Sequence, residues 1–342
     1  MGNGEKAEGR THKRRQGSLN AACAARGRLQ GREEERRERT TPAASMSCIS
    51  VDDTCANCGK GSDAAGIVVL KNCMACRLVK YCGIKCQRVH RKQHKKACEQ
   101  RAAELKDEQL YSQGHERPVG DFCPICTLPI PLPMAKHSLF EWCCMKRVCR
   151  GCDFAAQKRG MHDCPFCRTP CPRNDADKLT MVRARVKKKD PAAISFLGKK
   201  YFFGDLGLHN DIQKAVELWT EAAELGSIDA LFQIGIAYYL GEGVKVDKKK
   251  AVQFWSKAAM QGCVQARHNL GGDEAEKRNY DRAVRHYLIS AKAGFQESVG
   301  NIKQLFMAGD ATKEQYAEAL KGYQDAVEEM KSHNREMKRV HK

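Results

Sequence analysis

Four pairs of metal-ligating side chains lie within residues 55–98, and this stretch constrains the fold more than any other part of the sequence. The pairs are Cys55 with Cys58, Cys73 with Cys76, Cys82 with Cys86, and His94 with Cys98. A Cys-x2-Cys turn places two sulfurs within reach of one tetrahedral zinc ion. His94 and Cys98 are four residues apart, so they share one face of a helix. Four such pairs predict two complete zinc sites.

The chain has 19 cysteines, and its other features favour metal binding over disulfides. The first 45 residues lack the apolar run of a secretory signal. No later segment approaches the roughly 18 apolar residues of a membrane span. In a reducing compartment, paired cysteines are more often metal ligands than disulfides. We therefore expect an intracellular protein of the cytoplasm or nucleus that has no contact with a membrane.

The run Tyr81-Cys82-x3-Cys86-Gln87, followed by His94-x3-Cys98, resembles the MYND zinc finger, and all eight ligand positions are filled at the family's spacing. The resemblance implies that the pairs interleave. One zinc would be held by Cys55, Cys58, Cys82 and Cys86, and the other by Cys73, Cys76, His94 and Cys98. The sequence departs from the family at Arg91, where tryptophan is common, and this bears on the family's peptide-binding surface. His90 is expected to face solvent rather than to bind metal.

A second cysteine-rich block follows at residues 123–167 and contains three further Cys-x2-Cys pairs, which indicate two interleaved zinc ions. The pairs are Cys123 with Cys126, Cys149 with Cys152, and Cys164 with Cys167. The block resembles the RING finger, in which pairs one and three share a metal and pairs two and four share the other. The resemblance implies one site formed by the first two of these pairs, while Cys164 and Cys167 complete the second site.

The second pair of the RING pattern is altered, because Lys146 stands where that family has a histidine. We expect the adjacent Cys143 and Cys144 to replace it. If only one of them binds, the fourth ligand could come from His137, His162 or Cys171. Together the two blocks predict about four zinc ions.

The RING resemblance also implies a partner surface. In RING ubiquitin ligases, an apolar residue inside the first pair and an arginine after the last pair contact the ubiquitin-conjugating enzyme. Ile125 and Arg168 occupy those places, and Pro165 flanks them. Such a domain has no covalent active site and acts by orienting its partner. The alternative is that Ile125 fills the small core and Arg168 caps it.

Residues 191–330 contain an internal repeat. Ala222-Ala223-x2-Gly226 recurs 36 residues later as Ala258-Ala259-x2-Gly262. A period in the thirties, with apolar residues at helical spacing, predicts stacked helical hairpins. Glycines also recur at equivalent positions of the repeats, where the first helix of a hairpin is expected to approach its neighbour closely. They are Gly198, Gly235 and Gly271. Large aromatic side chains expected in the core recur as Trp219, Trp255 and Tyr287.

These hairpins resemble Sel-one-like repeats, which are relatives of the tetratricopeptide repeat. Two units match well, a third is shortened, and a fourth has Lys303 in the glycine position and could serve as a cap. Gly241 is expected to end a first helix, and Asp247 to begin the second as its N-cap. The resemblance implies a concave surface that binds another protein.

The predicted organisation is two small zinc fingers followed by an all-α repeat solenoid. The first finger spans residues 52–98, the second finger 121–171 and the repeats 191–330. Residues 1–51 are predicted to be a disordered basic segment. Residues 99–120 are predicted to be a short helical exit followed by a turn-rich linker from Gly114 to Gly120. Residues 172–190 are predicted to be a basic linker that forms an exposed strip or a short helix. Residues 331–342 are predicted to be a charged tail, and Glu328–Lys342 to fray as the end of a helix.

We therefore expect a zinc-dependent interaction adaptor that acts as a RING-type ubiquitin ligase, with no catalytic residues of its own. The alternative is a non-enzymatic scaffold. The net charge of +19 also permits a nucleic-acid-associated factor. That third interpretation is less favoured, because the basic residues do not alternate with aromatic residues as a base-stacking surface requires.

Overall fold

The computed structural model describes residues 54–62 and 69–340, and the predicted disordered segment 1–51 lies outside them. The chain divides into two compact units, one ending at Glu99 and the other beginning at Gln100. No helix within the described residues is both long enough and apolar enough to cross a membrane.

The first unit is a small finger with little regular structure. Strand β1 (Lys71–Asn72) pairs antiparallel with β2 (Lys80–Tyr81), and Lys71 lies opposite Tyr81. Helix α1 (Ile84–Ser112) begins in this unit and ends in the second one. The buried core consists of Tyr81 together with cysteines, so ordinary apolar packing contributes little here.

The second unit begins with the second cysteine-rich block, which we call the second finger and whose core contains Cys123, Cys149 and Cys152. A 3-10 turn (Val119–Asp121) and helix α2 (Met134–His137) precede a hairpin of β3 (Ser138–Glu141) and β4 (Lys146–Cys149), and α3 (Arg150–Lys158) follows. Ile130 and Val148 are fully buried among the cysteines.

Helices make up the rest of the second unit. They are α4 (Asp175–Val186), α5 (Pro191–Phe203), α6 (Ile212–Glu224), α7 (Ile228–Leu240), α8 (Lys248–Met260), α9 (Val264–Glu276), α10 (Tyr280–Lys292), α11 (Gln296–Ala308), α12 (Lys313–Glu329) and α13 (His333–Val340). Helices α5 to α12 form four hairpins that stack on one another, and we call them the repeat array. The array is the predicted helical solenoid.

The repeating glycines lie against the repeating aromatic residues, as predicted. The contacts are Gly198 with Trp219, Gly235 with Trp255, and Gly271 with Tyr287. A Cβ added at Gly198 would lie 2.7 Å from Nε1 of Trp219, and one at Gly271 would lie 2.6 Å from the ring of Tyr287. The three rings are buried. Each glycine therefore lets an aromatic ring lie directly against the backbone of the facing helix.

The predicted helix boundaries around residue 244 are confirmed. Gly241 ends α7 with φ of 78°, a left-handed conformation that glycine adopts without strain. Asp247 begins α8, and its side chain accepts a hydrogen bond from the backbone N–H of Lys250. The cap satisfies one of the free N–H groups at the start of the helix.

The two segments predicted to be linkers are in fact packed against the array. In residues 172–190, helix α4 contacts α5. Val182 of α4 is fully buried, and Leu179 and Val186 of the same helix pack against the same apolar cluster. In residues 99–120, the predicted helical exit is the second half of α1, which continues to Ser112, but it is not a free linker, because Leu110 packs against the core of the array. The charged residues of both segments concealed this apolar spacing.

A buried arginine holds the end of α1 against the array. Arg267 is only 1% exposed. Its guanidinium donates hydrogen bonds to the carbonyls of Leu110 (2.9 Å), Gln113 (2.7 Å) and Ala259 (3.1 Å). Because two of these carbonyls lie at or just beyond the last turn of α1, Arg267 satisfies acceptors that the helix itself leaves free.

The predicted fraying of the C-terminal tail is wrong. Residues 333–340 form α13, and Arg335 donates hydrogen bonds to carbonyls of the second finger. The sequence does not reveal this, because the partner residues are more than 200 positions away.

We expect Gly235→Ala to destabilise the protein by about 1–3 kcal/mol, because the added methyl group collides with the ring of buried Trp255. Gly300→Ala is the matched control. It lies in α11 with no atom within 4 Å of the added Cβ, and it should stabilise by roughly 0.5–1 kcal/mol. Denaturant unfolding measures both, and equal stability of the two variants would contradict the packing argument.

The stability of the array should also fall in acid. His286 is buried, and burial together with Arg267 and Arg282 lowers the pKa of its imidazole from 6.5 to about 3. Between those values the unfolded chain binds a proton that the folded chain rejects, so stability decreases as the pH falls from 6.5 towards 3. We expect His286→Gln to make this decrease shallower, in denaturant midpoints measured against pH. Parallel slopes for wild type and His286→Gln would contradict the expectation.

Candidate metal centres

Four groups of potential metal ligands converge in the described residues, and in each group all four ligand atoms lie within 4.8 Å of one another. Cluster one consists of Cys55, Cys58, Cys82 and Cys86. Cluster two consists of Cys73, Cys76, His94 and Cys98. Cluster three consists of Cys123, Cys126, Cys149 and Cys152. Cluster four consists of Cys143, Cys144, Cys164 and Cys167.

The sulfur separations are those of ligands around a zinc ion, not of disulfides. Thiolates at 2.3 Å from a tetrahedral zinc lie roughly 3.8 Å apart. The separation is 3.6 Å between Cys58 and Cys82, and 3.8 Å between Cys126 and Cys149. A disulfide would bring two sulfurs to about 2.05 Å. The donor sets therefore fit zinc in both number and spacing.

In the first unit, the elements bring distant pairs together. The β1–β2 hairpin carries Cys73 close to Cys98, with a sulfur separation of 3.7 Å. Helix α1 places His94 and Cys98 on one face, and Nε2 of His94 lies 3.1 Å from the sulfur of Cys76. The observed grouping is the interleaved one implied by the MYND resemblance.

His90 lies outside cluster two, but the expectation that it faces solvent is wrong. It is half-buried, and its Nδ1 lies 3.1 Å from the hydroxyl of Tyr81. Its ring stacks on that of His94, with centroids 5.6 Å apart. His90 therefore packs against a ligand side chain and helps to fix the orientation of His94.

In the second finger, both adjacent cysteines join the same group. Cys144 lies 3.9 Å from Cys164, and Cys143 lies 3.2 Å from Cys167. The tight turn between β3 and β4 permits this, because the N–H of Met145 donates to the carbonyl of Glu141 and closes the turn. His137, His162 and Cys171 lie outside cluster four.

This turn is anchored to helix α4 and to the repeat array. Met145 is buried in the same apolar cluster as Val182. The ring of Phe140 stacks on Phe196 of α5 at 4.5 Å between centroids. Arg185 of α4 donates a hydrogen bond to the carbonyl of Cys143 at 3.0 Å. The altered second pair therefore lies where the finger contacts the array.

Hydrogen bonds from the backbone are directed at individual sulfurs of these clusters, of which Cys55 and Cys123 are examples. Burial of Cys55 raises the pKa of its thiol, but backbone hydrogen bonds at Cys82, Asn57 and Cys58 outweigh burial and lower the pKa to about 6. In cluster three, the N–H of Cys149 donates to the sulfur of Cys123 at 3.4 Å. N–H groups directed at sulfur stabilise the negative form that binds metal.

Family models match two parts of the chain. The MYND finger model matches residues 55–98, and the Sel1 repeat model matches residues 191–227, 228–263 and 266–295. The chain carries a MYND finger and Sel1 repeats. Both are protein–protein interaction modules, and both matches confirm the resemblances found in the sequence. Residues 123–167 lie outside these matches.

Solved structures resemble the chain in part. A Sel1 repeat protein from Oxalobacter formigenes is 28% identical over 44% of this chain and 64% of that one, with a TM-score of 0.40. The protective antigen c5321 of uropathogenic Escherichia coli is 24% identical over 51% of this chain and 36% of that one, with a TM-score of 0.41. The chain therefore spans less than two thirds of either relative. No protein with a curated description matches it.

The expected partner residues lie on the surface of the second finger. Ile125 is 43% exposed between Cys123 and Cys126, so the alternative that it fills the core is wrong. Arg168 is exposed and adopts a left-handed backbone with φ of 63°. Pro165 is half-buried. Its neighbour Phe166, which our sequence reasoning missed, is 44% exposed, and its position inside the last Cys-x2-Cys pair is the signal that could have found it.

Bound zinc should depend on both adjacent cysteines of cluster four. We expect Cys143→Ser and Cys144→Ser each to reduce the zinc content by about one ion per chain, because each removes one of four ligands. Cys171→Ser is the matched control, since its sulfur instead donates to the carbonyl of His162. Elemental analysis of purified protein measures the content. Full zinc in either of the first two variants would contradict this ligand set.

Proposed function

We propose that the chain is a zinc-dependent interaction protein whose second finger recruits a ubiquitin-conjugating enzyme, while the MYND finger and Sel1 repeats bind other proteins. The module types support the general function of protein interaction. The finer assignment to ubiquitin transfer rests on the arrangement of the second finger.

The observation that carries the proposal is that successive cysteine pairs of the second finger belong alternately to cluster three and cluster four. Cluster three uses the first and third cysteine pairs of the second finger, and cluster four uses the second and fourth. This interleaving is the pattern of a RING finger. A simple pair of consecutive zinc knuckles would instead group neighbouring pairs.

The surface of this finger supports the same proposal. Ile125 and Phe166 are large apolar side chains, each more than two fifths exposed, on turns held by cluster three and cluster four respectively. Exposed apolar side chains on rigid turns are typical of a protein interface. A partner enzyme held on them would be oriented for transfer without covalent chemistry by this chain.

We propose zinc as the metal and the sixteen side chains of the four clusters as its ligands, with about four ions per chain. Each cluster offers four protein donors, so the sites are closed and structural. Their role would be to hold the two cysteine-rich cores together, because each has few apolar residues.

A ubiquitination assay with a panel of conjugating enzymes tests the proposed activity. We expect zinc-loaded wild-type protein to promote ubiquitin transfer, and Ile125→Ala and Arg168→Ala each to reduce the rate at least about tenfold. This loss corresponds to about 1.4 kcal/mol of binding or orientation energy.

The matched control variants make the same type of substitution at exposed positions away from the cysteine turns, and they should retain the rate of ubiquitin transfer. They are Val119→Ala, which also truncates an exposed apolar residue, and Arg159→Ala, which also removes an exposed arginine. Zinc content checks that every variant is folded. Absence of transfer by zinc-loaded wild type across the panel would overturn the ligase proposal.

The second candidate function is a scaffold without an enzymatic partner. It is favoured by the anchoring of the second finger, because Phe140 and Met145 pack on the repeat array. A finger fixed in this way could simply complete the array's surface. The same assay separates the two proposals, since a scaffold would bind zinc fully yet promote no transfer.

A further inference from the structure

The side chain of Arg335 connects the C-terminal helix α13 to cluster three. Its Nη2 donates to the sulfur of Cys126 at 3.5 Å and to the carbonyl of Leu128 at 3.3 Å. Its Nη1 donates to the carbonyls of Pro129 at 2.8 Å and Met330 at 2.6 Å. One guanidinium therefore contacts a cluster sulfur, the turn that follows it, and the end of α12.

The close contact of α13 with α3 holds this arginine in place. A Cβ at Gly151 would lie 2.7 Å from the backbone nitrogen of Arg335, so only glycine allows the two helices to approach this closely. One turn further along α13, the ammonium of Lys338 lies 4.8 Å from the ring of Phe154 on α3. The two helices thus pack along their length.

The negative charge of the thiolates in cluster three explains why the positively charged guanidinium of Arg335 is favourable beside it. Four thiolates carry more negative charge than one zinc ion neutralises. A guanidinium that donates to a ligand sulfur reduces this excess, and it also fixes the ligand's orientation. Arg335 is half-buried, where such an interaction is less screened by water than at a fully exposed position.

We propose that Arg335 is the outer-shell partner of a zinc ion in cluster three, where it slows loss of the metal and positions the turn that carries Ile125. The proposal rests on zinc occupancy of that cluster, which is part of the proposed function. On this view α13 is a component of the second finger supplied from the far end of the chain. The hydrogen bond from Arg335 to the carbonyl of Met330 ties the finger to the last hairpin of the array.

Zinc release from the full-length, zinc-loaded protein tests the proposal, followed with a chromogenic chelator. Cys126→Ser, which removes a ligand of cluster three, identifies the kinetic phase that belongs to this cluster. We expect Arg335→Met to accelerate that phase about 10–100-fold, because loss of an outer-shell partner usually weakens metal affinity by such a factor and weaker binding is expressed mainly in faster release. Arg335→Lys, which keeps the charge but not the planar donor pair, should lie between wild type and Arg335→Met.

Lys338→Met is the matched control, because it removes the same charge from the same helix without a contact to the cluster. It should release zinc at the wild-type rate. NMR of the cadmium-loaded protein gives a second readout, in which Arg335→Met should shift one metal resonance and leave the others unchanged. If Arg335→Met does not fold, the Arg335→Lys variant is compared with Lys338→Met by the same two measurements.

Release from Arg335→Met, or from Arg335→Lys if only that variant folds, at the wild-type rate with unchanged cadmium resonances would overturn the proposal. Equal acceleration by Lys338→Met would also overturn it, because the effect would then come from loosening of α13. If Cys126→Ser removes no phase and no zinc, cluster three is not a zinc site, and the failure lies with the proposed function instead.

Discussion

Both fingers depend on the convergence of cysteine side chains that are far apart in the sequence. The core of the first finger has Tyr81 as its buried large side chain, and that of the second has Ile130 and Val148. Cores of this size bury too little apolar surface to offset the conformational entropy of the chain. The fold of each finger therefore requires further bonds, and ligand sets with tetrahedral sulfur spacing provide them when metal is bound.

The repeat array is stabilised in a different way. Trp219, Trp255 and Tyr287 are buried against glycines of the facing helices, and small alanines fill the remaining space. Because each hairpin packs on its neighbours, the array has a core of its own. It can thus support the second finger through Phe196 of α5, which stacks on Phe140 of β3, and through the apolar cluster that the array shares with Val182 of α4 and Met145 of the turn.

Because of this support, the second finger is packed against the rest of the second unit and does not stand alone. Helix α4 and the turn at Met145 share one apolar cluster, and Arg185 bonds to the carbonyl of Cys143. The usual histidine of the RING pattern is absent, yet the turn still brings two cysteines into cluster four. A partner that binds the exposed side chains of Ile125 and Phe166 would meet a finger that is already fixed to the array through Phe140.

The sequence by itself determined the paired cysteines, the hairpin repeat and the helix boundaries at Gly241 and Asp247. These features are local, since spacing of two or three residues sets a metal turn, and apolar periodicity sets a helix face. Only the tertiary structure decided the roles of residues 99–120, 172–190 and 333–340. Their apolar and hydrogen-bonding partners lie far away in sequence, as with Arg267 and Leu110 or Arg335 and Cys126. From its sequence a charged segment is predicted to be an exposed tail, because the acceptors for its hydrogen-bond donors are brought close only in the folded chain.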